Sequence, residues 1–365
     1  MGEEHLRDVA DVVLRLLHVV AGIAWIGASF YFIRLDLGLR RPERPEDEAR
    51  GVGGEYWGVH GGGFYHSQKY KVAPPRLPEH LHWFKWEAYT TWLSGFALLI
   101  LLYWLDAETR LVDPGVADLA PWQAVALSAG GLAGAWIVYD VACRALRDDR
   151  AVAGVVVALV VGSAWGASLV FAPRAAFLQV GAMLGTIMAA NVFFSIIPAH
   201  RELIRAKEAG RDPDAAPGVA AKQRSVHNNY LTLPVVFTML AGHFPVVFGA
   251  ERPWLVLVAI FVLLALTRHF FNRFHTGRRP WWILGVVAAG TVALALLLAP
   301  GAATPAWHVT QRRSEIASAS SSDGLRAHAA GVRRQVSAGL MPPGNTTGMT
   351  EDEREQLVAW AAAAR

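Results

Sequence analysis

The stretch PWLVLVAIFVLLALTRHFF, residues 253–271, is an almost unbroken apolar run that is long enough to cross a bilayer as a helix. Runs of this kind recur along the first 300 residues. The chain has 365 residues, of which 53% are hydrophobic and only 18% are charged. A soluble globular protein of this size is seldom so apolar. The sequence therefore predicts a polytopic membrane protein.

Eight spans fit the hydropathy, and together they predict an all-α fold. The predicted spans are residues 9–33, 86–105, 121–143, 151–172, 176–198, 227–248, 253–271 and 280–300. They form a transmembrane domain over 1–300 with a long cytoplasmic loop at 34–85, followed by a small helical domain over 301–365. The only cysteine, Cys143, excludes a disulfide framework and a cysteine-based metal site. Neither a metal ion nor a nucleic acid is expected as a partner.

Lysine and arginine are concentrated in alternate loops. The basic loops are 34–85, 144–150, 199–226 and 272–279. The loop 106–120, in contrast, has a single arginine among four acidic residues. By the positive-inside rule the basic loops are cytoplasmic. Both termini are therefore predicted on the periplasmic side of a bacterial inner membrane.

Three predicted spans carry pairs of glycines four residues apart, a spacing that lets helix backbones approach closely in lipid. The pairs are Gly130 and Gly134, Gly162 and Gly166, and Gly181 and Gly185. We interpret them as contacts within one chain, and a homo-oligomer is the alternative.

Five histidines lie in or beside predicted spans, where ionisable residues are costly and often functional. His18 and His243 fall in the outer half of the membrane, whereas His227, His269 and His82 fall near the inner side. Two layers at matched depths suit haem b, whose iron takes two neutral imidazoles from facing helices. Two alternatives stay open: each ring hydrogen-bonds a neighbour, or the histidines line a polar channel for ions or protons.

The segment 51–87 is unusually rich in aromatic, glycine and histidine residues for a solvated linker. Flat rings beside lysine side chains suit a planar, anionic heterocycle. The candidate substrate-binding residues are Trp57, His60, Tyr65, His66, Lys69, Lys71 and Lys85. The alternative is a loop that only folds over the cytoplasmic helix ends.

The C-terminal segment has the pattern of the distal half of a small cytochrome c. The motif MPPGN at 341–345 is followed by TGMT at 347–350. No Cys-x-x-Cys-His motif exists anywhere in the chain, so no covalent haem c is expected.

The loop, the spans and the tail together resemble one family, the bacterial membrane-bound urate oxidases or urate hydroxylases. These have an eight-span "urate oxidase N-terminal" domain followed by a periplasmic cytochrome c domain. The segments that carry the resemblance are WGVHGGGFY (57–65), LHWFKWEAY (81–89), TWLSGF (91–96), NVFFSIIP (191–198), SVHNNYLTLP (225–234), RHFFN (268–272) and the two tail motifs.

The resemblance implies oxidation of urate to 5-hydroxyisourate in purine catabolism, with electrons passed to a cytochrome or the respiratory chain. Where the family has its haem-attachment motif, this chain has RSEIAS at 313–318. The expected electron acceptor is therefore a separate cytochrome c or a quinone. The rival functions are a haem b electron-transfer subunit without urate activity, which predicts haem without turnover, and a purine or ion transporter, which predicts uptake into vesicles.

Overall fold

The computed structural model describes residues 2–146, 148–299 and 351–363, and this part of the chain is mostly helical. The elements in chain order are α1 (Glu3–Gly38), α2 (Pro45–Ala49), β1 (Val52–His60), β2 (Gly63–Tyr70), α3 (Trp86–Leu99), α4 (Ala107–Arg110), α5 (Pro121–Ala145), α6 (Asp149–Val170), α7 (Pro173–Asn191), α8 (Ile197–Glu208), α9 (Ala216–Ala241), α10 (Pro245–Phe248), α11 (Pro253–His275), α12 (Trp281–Leu297) and α13 (Glu351–Ala363). The cytochrome-like motifs at 341–350 lie outside the described residues.

Five helical segments are long and apolar enough to cross a membrane, which agrees with the predicted membrane protein. They are His5–Gly38, Pro121–Ala145, Asp149–Val170, Pro173–Glu208 and Pro253–His275. Helices α3, α9 and α12 coincide with the other three predicted spans. Helix α3 continues through a π-helical turn, Ile100–Trp104, almost to the predicted end, whereas α12 is shorter and α9 is more polar. One span boundary was wrong: α9 ends at Ala241, so His243 lies in the turn before α10.

The all-α prediction needs one correction, because the loop at 34–85 contains an antiparallel hairpin of β1 and β2. The pairing runs from Val52 opposite Tyr70 to His60 opposite Gly63. Gly61 and Gly62 make the two-residue turn with φ of 57° and 81°, a backbone region that glycine enters without strain.

Helix α7 lies at the centre of the bundle. It packs against α5, α6 and α9, and more than half of its most apolar window is buried, against 6% for α1 and 11% for α6. A helix that is apolar all round is stable only when neighbours cover it on every side or when lipid does. Helices α1 and α6 therefore form the outside of the bundle, and α7 its core.

The helix that begins as α7 continues through a π-helical turn, Val192–Ile196, into α8. The cause is Pro198, which has no backbone N–H for the carbonyl one turn earlier. A single π turn absorbs this lost hydrogen bond without breaking the helix. The last residue before this turn is Asn191, which is 1% exposed and whose amide enters a polar network.

Candidate functional site

The hairpin is tied to the C-terminal end of α1. Arg40 and Glu55 exchange two backbone hydrogen bonds, each with an N···O distance of 2.8 Å. Gly54 makes this approach possible, because a Cβ atom there would lie 2.9 Å from the Cβ of Leu39. The hairpin therefore covers the end of the first long helix.

A buried carboxylate orders the aromatic face of the hairpin. Glu55 is 4% exposed, and its Oε2 lies 2.9 Å from Nε2 of His66 while its Oε1 accepts the backbone N–H of Glu43 at 3.0 Å. The ring of His66 stacks on Trp57 with 4.1 Å between centroids and 8° between planes. Because Glu55 fixes His66 and His66 fixes Trp57, the indole is held in one orientation.

Between this face and the helix ends lies an open cavity of about 280 Å³. Its wall combines two aromatic rings, three arginines, a histidine and two glutamates. The lining residues are Arg34, Gly38, Arg40, Arg41, Glu43, Glu55, Tyr56, Trp57 and His275. Arg34 Nη1 donates to Nδ1 of His275 at 2.7 Å, which joins α1 to α11 at the cavity floor. The cavity offers a flat ring for stacking and guanidinium groups for an anion.

The predicted substrate-binding residues are only partly brought together. Trp57 lines the cavity and His66 supports it, whereas His60 and Tyr65 lie at the exposed turn end of the hairpin. The remaining three are lysines, and they lie elsewhere: Lys69 binds Asp36, Lys71 follows β2, and Lys85 lies over the rings of Trp83 and Trp86 at 5.3 and 5.6 Å.

Lys69 is only partly shielded from water, with 51% of its side chain exposed. Burial lowers the pKa of Lys69 below its usual value. Lys222 of α9 reaches the same carboxylate, so Asp36 links α1, the hairpin and α9. Lys69 therefore holds the hairpin against the bundle rather than lining the cavity.

Sequence reasoning missed Arg34, Arg40, Arg41 and His275 as cavity residues. They lie directly after two apolar runs, where basic residues are counted for membrane orientation. The sequence did contain a usable signal, because Arg34 and His275 follow the first and seventh predicted spans on the same side of the membrane.

A second polar cluster lies inside the bundle around His227. The Nδ1 atom of His227 is 2.8 Å from the hydroxyl of Tyr139, which also accepts from Nδ2 of Asn191 at 3.0 Å. The same Nδ2 donates to Oδ1 of Asn228 at 2.9 Å. Three helices, α5, α7 and α9, therefore meet through one chain of hydrogen bonds.

The guanidinium of Arg224 is the charged group of this network, and Arg224 is 4% exposed. Its Nη2 donates to Oδ1 of Asp140 at 2.8 Å, and its guanidinium lies 4.9 Å from the ring centroid of Tyr139. A buried charge of this kind is tolerated only with a partner. Arg224 and Asp140 thus form a buried ion pair between α9 and α5.

The other predicted haem ligands have separate surroundings. His18 Nδ1 donates to the carbonyl of Thr91 at 2.9 Å, and His269 Nδ1 lies 2.7 Å from the hydroxyl of Tyr230. His82 has an edge-on contact with Phe84 at 4.5 Å, and His243 is exposed. No contact joins two of the five predicted histidines within the described ranges, so the paired haem layers stay a prediction.

Metal and haem c chemistry can be compared with the residues present. Within residues 2–146, 148–299 and 351–363, no group of three or more His, Cys, Asp or Glu side chains could hold a metal ion. Covalent haem c needs two cysteines, and the chain's only one, Cys143, lies on α5. The residues do not fit a covalently attached haem.

The chain was compared with curated proteins, solved structures and protein-family models. No curated protein and no solved structure matches the chain. The family model described as "Urate oxidase N-terminal" matches residues 4–299, which include the hairpin, the cavity and the bundle. The chain therefore belongs to the urate oxidase N-terminal family.

Proposed function

We propose that this protein oxidises urate to 5-hydroxyisourate from a membrane domain and passes the electrons to a separate cytochrome c or quinone. Family membership over residues 4–299 supports the substrate class. The observation that carries the proposal is the cavity that places Trp57 beside Arg34, Arg40 and Arg41.

Urate matches this wall in shape and in charge. It is a flat bicyclic anion with carbonyl oxygens at its edge, so it can stack on Trp57 while arginines neutralise its charge. Guanidinium groups bind such oxygens by charge-assisted hydrogen bonds. In the net reaction urate and one water molecule give 5-hydroxyisourate, two protons and two electrons, and the water supplies the new oxygen. The two electrons pass to the acceptor, one to each of two cytochrome c molecules or both to one quinone.

The proposal includes the membrane topology. We place eight spans in a bacterial inner membrane, with α3, α9 and α12 as spans beside the five longer segments. The hairpin and the cavity then face the cytoplasm, because the basic loops lie at that side. Both termini face the periplasm, where a soluble cytochrome could take the electrons.

Haem b is proposed as an internal carrier, supplying one-electron steps across the bilayer. The best fit to a ligand is His18, because donation from Nδ1 to the Thr91 carbonyl leaves the lone pair on Nε2. The Nδ1 atoms of His227 and His269 are hydrogen-bonded to tyrosine hydroxyls, and His82 and His243 complete the candidates.

We expect that His18→Ala removes a haem b spectrum from the purified protein, and an unchanged spectrum would exclude His18 as a ligand.

The direct test of the proposed function is urate loss by membranes that contain this protein, with and without added soluble cytochrome c. Turnover that needs the added carrier would support an enzyme with a separate cytochrome, and turnover without it would indicate a quinone. Absence of turnover in both, with the protein present and folded, would refute the enzyme.

Arg34→Gln is expected to raise the KM for urate about tenfold, because one charge-assisted contact is lost. The matched control is Arg211→Gln in the basic loop 199–226, since Arg211 pairs with Glu202 and is 52% exposed in its side chain. Steady-state kinetics on both variants checks this prediction. A KM that stays unchanged in Arg34→Gln would remove the cavity from substrate binding.

A further inference from the structure

One face of α11 runs from the cavity into the bundle and lies against α1. Arg268, Asn272 and His275 are spaced by four and three residues, so they share this face. The guanidinium of Arg268 lies 4.1 Å from the ring centroid of Phe30, and Arg34 binds His275 at 2.7 Å. We call these three residues the α11 face.

Two polar atoms of the α11 face are buried without a hydrogen-bond partner among the described residues, Arg268 Nη2 and Asn272 Oδ1. Arg268 is 4% exposed, and its Nε donates to Oδ1 of Asn229 on α9, which fixes the guanidinium. Leaving a buried donor and a buried acceptor unpaired is costly, so such atoms indicate an occupant that supplies both partners.

The two atoms are complementary to one kind of molecular edge. Arg268 supplies an N–H donor and Asn272 supplies a carbonyl acceptor, and both project from adjacent turns of one helix. A lactam edge, in which a ring carbonyl lies beside a ring N–H, presents the matching acceptor and donor. Asn272 is about 4.5 Å along the helix from His275, at 1.5 Å per residue, and His275 lines the cavity.

We infer that Arg268 and Asn272 bind the lactam edge of the purine substrate, with the ring carbonyl accepting from Arg268 Nη2 and the adjacent ring N–H donating to Asn272 Oδ1. This inference rests on the proposed function and deepens it, since it names the residues that recognise the ring. The substrate then extends inward from the cavity, between α1 and α11.

The test measures equilibrium binding of urate to the purified full-length protein in detergent by calorimetry. Asn272→Leu has a side chain of similar size but no acceptor, and we expect it to weaken urate binding about tenfold or more. The matched control is Thr267→Val on the same helix. Its hydroxyl is already satisfied by the carbonyl of Leu263 at 2.8 Å, so urate affinity should not change.

A second measurement compares ligands and begins with the unaltered protein. Urates methylated at single ring nitrogens lack one N–H each, and we expect one of them to bind the unaltered protein about tenfold more weakly than urate. In Asn272→Leu this difference between methylated and unmethylated urate should disappear, because the acceptor that reads the N–H is gone.

Two outcomes overturn the inference in distinguishable ways. If Asn272→Leu binds urate as tightly as the unaltered protein, the two atoms hold only water, and the proposed function stands on the cavity alone. If the unaltered protein binds no urate, the proposed function itself fails and this inference fails with it. Thermal unfolding without ligand checks that Asn272→Leu is folded, since replacing an unpaired acceptor by an apolar group should not lower Tm.

Discussion

Asp140→Ala is expected to lower the free energy of unfolding by about 3–5 kcal/mol, because it leaves the buried guanidinium of Arg224 without its counter-ion. The Arg224 side chain is 4% exposed and that of Asp140 is 14% exposed, so the pair is largely shielded from water. Arg224 also supports the hydrogen bonds among Tyr139, Asn191 and His227, so its displacement would loosen three helices together.

The control for this prediction is Glu48→Ala, which removes an ion pair outside the predicted spans whose arginine, Arg41, is 82% exposed. A surface pair contributes only about 0–1 kcal/mol, so this variant should unfold almost like the unaltered protein. Asp140→Asn should fall between the two, because its amide oxygen still accepts from Arg224. Thermal unfolding in detergent measures all three. Equal midpoints for Asp140→Ala and Glu48→Ala would show that Arg224 finds another partner.

The helices could be predicted from the sequence because lipid imposes a simple rule on the chain. A segment such as 253–271 must satisfy its own backbone inside the bilayer, so apolar length alone identifies it. The end of α9 was predicted less well. Apolar residues continue to Phe248, yet the helix stops at Ala241 and Pro245 begins a new short helix. Hydropathy does not register such a break, whereas proline does.

The hairpin was missed although its signal is present. The dipeptide Gly61-Gly62 is a strong turn signal, and it lies between the strands Val52–His60 and Gly63–Tyr70. High aromatic content predicted a packed or ligand-binding loop, and it did not distinguish a strand from an irregular segment. A test for alternation on either side of paired glycines would have identified the two strands.

The types of side chain at the candidate site could be predicted from the sequence, but most of the individual residues could not. Aromatic rings beside basic groups were expected, and the cavity has them, yet only Trp57 among the seven predicted residues lines it. The arginines come from the end of α1, and His275 comes from the end of α11. Helix packing brings together residues that are more than 200 positions apart in the sequence. The hydrophobic periodicity of a single sequence does not indicate such long-range contacts.

In the polar networks, too, single residues were predicted but their partners were not. His227 was predicted as a polar group inside the bundle and is half-buried there, but its partner Tyr139 is 88 residues away and looked like one more apolar residue. The matching segments NVFFSIIP and SVHNNYLTLP both enter one network through Asn191, His227 and Asn228. Adjacent residues of α9 divide between two partners, since His227 faces α5 while Asn229 and Tyr230 face Arg268 and His269 of α11.

Gly181→Ala is expected to destabilise the protein by about 1–3 kcal/mol, because α7 and α9 are in direct contact at this glycine. An added Cβ would lie 2.0 Å from Oγ1 of Thr238 and 2.6 Å from its Cβ, and neither atom is at the end of a flexible chain. Thr238 is 2% exposed and its hydroxyl already donates to the carbonyl of Val235, so it has no free space to enter. The two helices would have to separate along the core of the bundle.

The matched control is Gly185→Ala, one turn further along the same helix. No heavy atom of the described residues lies within 4 Å of a Cβ placed there, so the glycine pair predicted from the sequence has one member in contact and one in open space. Alanine favours the helix over glycine by up to about 1 kcal/mol, and Gly185→Ala should therefore be neutral or stabilising. Thermal unfolding of the two variants compares them directly. Equal destabilisation would mean that Gly185 meets a second copy of the chain, which would favour the homo-oligomer.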